Sequence, residues 1–138
     1  MKRAKLKTEE VTRIIVSATM TMDEEDALEA LVIDHCCHTP EKLGCHYYIK
    51  KDGDVLTPVS HEERGNWFAR YGSTAIFIVV EGGLDDDGQL SNNFMAGQLC
   101  WIKGIVKTLK KIYPNAELTL HRELFLGVNP VLTKEQIE

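Results

Sequence analysis

The 138-residue chain is 43% hydrophobic and 27% charged, enough for one compact core and too little for two ordinary domains, so a single domain over residues 1–138 is expected. Its formal charge of -5 gives no cationic excess to attract nucleic acid or an anionic wall polymer. The apolar run after the basic start reaches only Ile14-Ile15-Val16, too short for a secretory core or a membrane span, and a cytoplasmic protein without nucleic-acid or membrane partners is expected.

Arg13 to Ser17 is rich in β-branched residues and predicts a strand. A helix should follow, opened by Thr21 and Glu24 at capping-box spacing, with acidic Asp23 to Asp26 at its positive end and Leu28, Leu31, Val32 and His35 on one face. Pro40 and Gly44 close that region. His46 to Lys50 and Val55 to Thr57 flank Lys51-Asp52-Gly53-Asp54, where Asp-Gly signals a β-hairpin. Ala75 to Val80 lacks polar alternation and predicts a central strand buried on both faces. Gly82 to Gly88 reads as a polar loop.

The longest helix is expected from about Phe94 to Tyr113, with Met95, Leu99, Ile102, Ile105, Val106, Leu109 and Ile112 inward, Gly97 and Gly104 weakening it, and Pro114 past its end. Glu117 to His121 should form a last strand, and Thr133 with Gln136 a final capped turn. Strands interspersed with two real helices indicate an α/β fold with a mixed sheet flanked by helices.

Polar clusters need weighing against ordinary structural roles. Lys103, Lys107, Lys110 and Lys111 form a basic stripe that reads first as a solvated helix face. Asp34-His35-Cys36-Cys37-His38 matches no standard zinc spacing and reads as a helix end, while the four cysteines show no disulfide framework. Cys45 beside His46 suggests an activated thiol, yet neighbours on a strand point to opposite faces. His61 reads as a loop residue. Trp67, Phe68 and Tyr71 form an aromatic group suited either to capping the core or to contacting a ligand, with Arg70 and Arg122 supplying charge nearby. His121, at the end of a late strand, is a plausible metal ligand, but the loop after it offers only Glu123 and Asn129, and the first strand no donor better than a serine.

The order of Ile14-Ile15-Val16-Ser17-Ala18-Thr19, Gly44-Cys45-His46-Tyr47-Tyr48-Ile49 with Lys51-Asp52-Gly53, Gly82 to Gly88, Tyr113-Pro114-Asn115-Ala116, and His121-Arg122-Glu123 with Pro130 resembles the phage-lysozyme type of N-acetylmuramoyl-L-alanine amidase. These zinc amidases share a fold with peptidoglycan recognition proteins. The resemblance implies a zinc held by two histidines and a cysteine, which polarises the amide carbonyl and activates water. The first histidine, at the end of the first strand, is substituted or deleted between Ile15 and Ser17. The second is His121, and the cysteine position is Asn129, a poor replacement for thiolate. The family's assisting tyrosine and lysine correspond to Cys45 and Gly127, and a further histidine to Trp67.

What the resemblance therefore implies is an inactive amidase-like protein without a cofactor. Its groove would retain Trp67, Phe68, Arg70, Tyr71, His121, Arg122 and Asn129 for a muropeptide-like ligand or for a host or phage protein, the latter in an inhibitory role. The alternative is an enzyme, either an amidase with a rebuilt metal site or a hydrolase dependent on Cys45.

Overall fold

In a computed structural model that describes residues 3–23, 26–34, 39 and 42–138, one five-stranded mixed sheet organises the chain. The strands are β1 (Arg13–Ala18), β2 (Tyr47–Ile49), β3 (Val55–Leu56), β4 (Ala75–Val80) and β5 (Glu117–Leu120), in the order β3-β2-β4-β1-β5. β4 pairs in parallel with both β1 and β2, and β1 in parallel with β5. Only β3 runs antiparallel, against β2. The expected α/β class and mixed sheet are thus the observed ones.

Every residue of β4 is buried, as its uninterrupted apolar run requires of a strand covered on both sides. The hairpin turns where Gly53 adopts φ +96°, with Lys50 N–H donating to Asp54 O at 2.8 Å. A side chain would be strained there, which is why Asp-Gly marked the turn.

The two sheet faces are separately covered. Ile14, Val16 and Ala18 of β1 join Ile76, Ile78 and Val80 of β4 beneath Ile102, Val106 and Leu109 of the long helix α2 (Ala96–Ile112). Ile15, Phe77 and Val79 point the other way, toward Leu28 and Leu31 of α1 (Ala27–Asp34) and toward Trp67, Phe68 and Tyr71. Alternation along each strand thus divides the core into two halves.

Helix details depart from expectation in two places. Asp26, whose carboxylate accepts the Glu29 N–H at 3.0 Å, caps α1; Thr21 instead bonds the Thr19 hydroxyl and bridges to Gly83. Asp26 is better placed, one residue before the helix, where its oxygen reaches a free first-turn N–H. Glu24, Glu25, the His35 to His38 segment and Pro40 lie outside the described residues, as does the side chain of Val32. In α2, Met95 and Ile112 are exposed and Gln98 is fully buried. The buried arc centres on Ile102 and Val106, so residues at its two ends fall outside the contact with the sheet. Gln98 Nε2 donates to Glu81 O at 2.9 Å and reaches Ile49 O at 3.4 Å, while its Oε1 accepts the Met95 N–H at 3.0 Å. Thr133 and Gln136 cap the last turn as expected. Among the described residues no helix is long and apolar enough to cross a membrane.

Candidate functional site

β1 and β5 run side by side up to the pair Val16↔Leu120. Ser17 continues β1, while His121, expected in the last strand, instead opens α3 (His121–Leu124). Ser17 by strand alternation, and His121 by its packing on Phe68, lie on the face away from α2. Ser17 is 2% exposed, and its Oγ and His121 Nδ1 are buried with no hydrogen-bond partner among the described residues. Buried polar atoms left without partners are uncommon and destabilising.

Asn129 arrives at the same strand end from the loop after α3. Its Oδ1 accepts the Ala18 N–H at 2.7 Å and its Nδ2 donates to the Ala18 carbonyl at 2.8 Å. The amide thus occupies both backbone groups of the residue following Ser17, closing the edge where β1 leaves the sheet.

Aromatic rings surround His121. Phe68 lies 4.8 Å and Phe125 5.2 Å from its ring centroid, and the two phenyl rings are 4.7 Å apart. Tyr71 meets Phe125 edge-on at 6.2 Å and carries the guanidinium groups of Arg70 and Arg13 at 5.7 and 5.9 Å. Burial in this surround holds the His121 pKa below the ordinary histidine value, favouring the neutral imidazole. Beyond Phe125, Leu126 is fully exposed and Gly127 takes φ +116°.

The aromatic loop is fixed from below. Asn66 and Trp67 N–H both donate to Gly44 O, at 2.9 and 3.1 Å. A Cβ on Gly65 would stand 2.5 Å from that oxygen and 2.7 Å from the Phe77 ring, so only glycine permits this approach. Trp67 and Phe68 pack against the buried cluster on this face, which places them at the border of the site.

Cys45 and His46 are both fully buried. Phe77 N–H donates to His46 Nδ1 at 3.0 Å, which leaves Nε2 to donate its proton to Glu63 O at 2.9 Å. Burial lowers the His46 pKa to about 4, the Glu63 carbonyl only partly opposing the shift. With Nδ1 already accepting a backbone proton and Nε2 protonated, His46 has no lone pair left to deprotonate the Cys45 thiol. Arg122 is also committed: its guanidinium donates to the carbonyls of Pro130 and, at 2.7 Å, Leu132. Through this one nitrogen, Nη1, it ties down the C-terminal segment.

No family model matches the chain. The endolysin of Escherichia phage T7 is 30% identical over 82 residues, and that of Enterobacteria phage K11 28% identical over 82 residues. Each match covers 59% of this chain and 54% of the relative, so the chain matches about half the length of these relatives. Among solved structures, an endolysin from a Thermus scotoductus bacteriophage superposes with a TM-score of 0.73 at 21% identity, over 98% of this chain and 86% of that one. The N-acetylmuramoyl-L-alanine amidase LysCS from Clostridium intestinale gives 0.69 at 16% identity, over 94% and 84%. The fold is that of the amidases and peptidoglycan recognition proteins. A complex of the peptidoglycan recognition proteins LCa and LCx, solved with tracheal cytotoxin bound, contains a chain that superposes at 0.69 with 16% identity, over 94% of this chain and 81% of that one.

Within this amidase-like fold, the β1–β5 register pairs Ile15 with Thr119 and ends at Val16↔Leu120, so Ser17, and not Ile15, is the first-strand residue level with His121. The structure brings together Ser17, His121 and Asn129, bordered by Phe68 and Tyr71. It keeps Cys45 in the core beneath them. Zinc, which the resemblance implies, does not fit this set. Ser17 offers a neutral hydroxyl, both polar atoms of the Asn129 amide are engaged by Ala18, and His121 alone remains of the donors zinc prefers. Among the described residues, no three His, Cys, Asp or Glu side chains are grouped to hold a metal. Phe125 was missed by sequence reasoning, because a lone aromatic in a loop carries no periodic signal.

Proposed function

We propose that this protein is an amidase-like binding protein that takes a muropeptide-like ligand into the aromatic-bordered site around His121 and does not cleave it. The carrying observation is the Asn129 amide, which sits where the resemblance places a thiolate ligand and spends both polar atoms on Ala18. Without a metal the amide carbonyl of a bound ligand is not polarised and no water is activated. Binding needs less: an apolar border from Phe68, Tyr71 and Phe125 and a few polar groups. The tracheal cytotoxin bound to the LCa and LCx complex supports the ligand class by analogy of fold.

Calorimetric titration with a muramyl tripeptide, paired with chromatography of the mixture after long incubation with and without added zinc, tests both halves. Saturable binding with intact ligand is expected. Zinc-dependent release of the peptide would restore the amidase reading, and absence of binding would direct the search toward a host or phage protein partner and an inhibitory role.

A further inference from the structure

We propose that the solvent-facing side of α2 is a second docking surface, built for an acidic segment of a protein partner. Cys100, Lys103, Gly104, Val106, Lys107, Lys110 and Glu138 line a concavity of about 720 Å³. It lies over the sheet face opposite the His121 site, so both can be occupied together. Three lysines outnumber the carboxylates that Glu138 brings and leave this patch cationic on a chain whose formal charge is -5. None of the three forms an ion pair or hydrogen bond with another described residue.

Gly104 is the second observation. Glycine destabilises a helix interior relative to alanine, and is usually tolerated there because something packs closely against it. Here a Cβ would meet nothing within 4 Å, and the same holds at Gly97. The two lie seven residues apart, about two turns, and so share one side of the helix. This bare ridge lets another backbone approach α2 closely. Trp101, 53% exposed, flanks the ridge on the side away from the lysines, offering an apolar contact that a small anion would not use.

The lysines at positions 103, 107 and 110 span about 10 Å along the axis at 1.5 Å per residue. That separation suits carboxylates distributed along a peptide better than a single phosphate cluster. The occupant is therefore an acidic segment carrying at least one apolar residue to cover Trp101. Long-range attraction would orient it and make its association strongly dependent on salt.

The test is an amide-resolved NMR titration of the whole chain with a synthetic peptide of repeated Glu-Glu-Leu-Glu, with inorganic triphosphate as a parallel probe. Saturable shifts centred on Lys103 to Lys110 are expected at low salt. The Lys103→Glu/Lys107→Glu/Lys110→Glu variant should bind about tenfold or more weakly, three exposed charge pairs being reversed. Gly104→Leu, which fills the ridge without changing charge, should also weaken the peptide. Muramyl peptide binding should be unchanged in both, since neither touches the His121 site. No shifts on α2, equal binding by the variants, or triphosphate binding tighter than the peptide would each overturn the proposal. Self-association abolished by the same variants would overturn it too, by making a second copy the occupant.

Discussion

Ser17 and His121 each come one residue after the last β1–β5 pair, Val16↔Leu120, and each has a buried polar atom that no other described residue satisfies. Both positions are set by the β1–β5 ladder, so the fold fixes them whatever side chains they carry.

That arrangement predicts that a zinc site can be built. Ser17→His together with Asn129→Cys would place two donors beside His121, giving the His, His, Cys set of an open catalytic site. Competition with a chromophoric chelator should show stoichiometric zinc uptake by the double variant and none by the parent chain. Equal uptake by both would contradict the donor argument.

Asn129 should matter for stability before it matters for ligand. Asn129→Ala removes two hydrogen bonds and strands the N–H and carbonyl of Ala18, a cost of about 1–3 kcal/mol. A lower urea midpoint with an unchanged slope is the expected result. The built zinc site therefore starts from a weakened chain and should regain stability as zinc is added.

His46 sets a pH window. Its folded pKa is about 4 against 6.5 for the ordinary group, so between these values the unfolded chain binds a proton that the folded chain refuses. Stability is then full above pH 6.5 and falls as pH drops toward 4, by about 3 kcal/mol for this group. Burial moves His61 and His121 in the same direction, adding to the slope. Imidazole NMR isolates His46: it should stay neutral, protonated on Nε2, down to about pH 4.

Arg122→Ala should destabilise the chain by about 1.5–3 kcal/mol through loss of charged hydrogen bonds to the Pro130 and Leu132 carbonyls. Once folded, the variant should bind muramyl peptide as the parent does. Phe125→Ala should do the reverse, weakening binding with a small effect on the urea midpoint, because its ring is only partly buried beside His121. Calorimetry and urea denaturation on both variants separate the two roles.

The readable parts of the sequence were those governed by local rules. The six apolar residues of β4, Asp-Gly at the hairpin and Thr133 with Gln136 at the last turn each encode their conformation within a few positions. Tertiary decisions were opaque. That Asn129 would clamp Ala18 depends on a contact between residues 111 positions apart, and resemblance alone marked it as a missing ligand. Gln98 carried no local signal of burial, because nothing nearby in sequence announces the two carbonyls that receive its amide. Arg122 was read as available charge for the same reason, its partners being carbonyls of a loop still to come. At the first strand, spacing left two positions open, and only the pairing of β1 with β5 selected Ser17.

Gln98 has a further effect on α2. One side chain joins the helix start at Met95 to the ends of two strands at Ile49 and Glu81, and the Glu81 carboxylate in turn holds Tyr48 Oη and Lys51 N–H, each at 2.7 Å. A helix packed only by aliphatic side chains can rotate by small steps about its axis, but one indexed by a directional amide has a preferred angular phase. The outward ridge of α2 is consequently presented at a fixed angle to the sheet, and a visitor would find it already aligned.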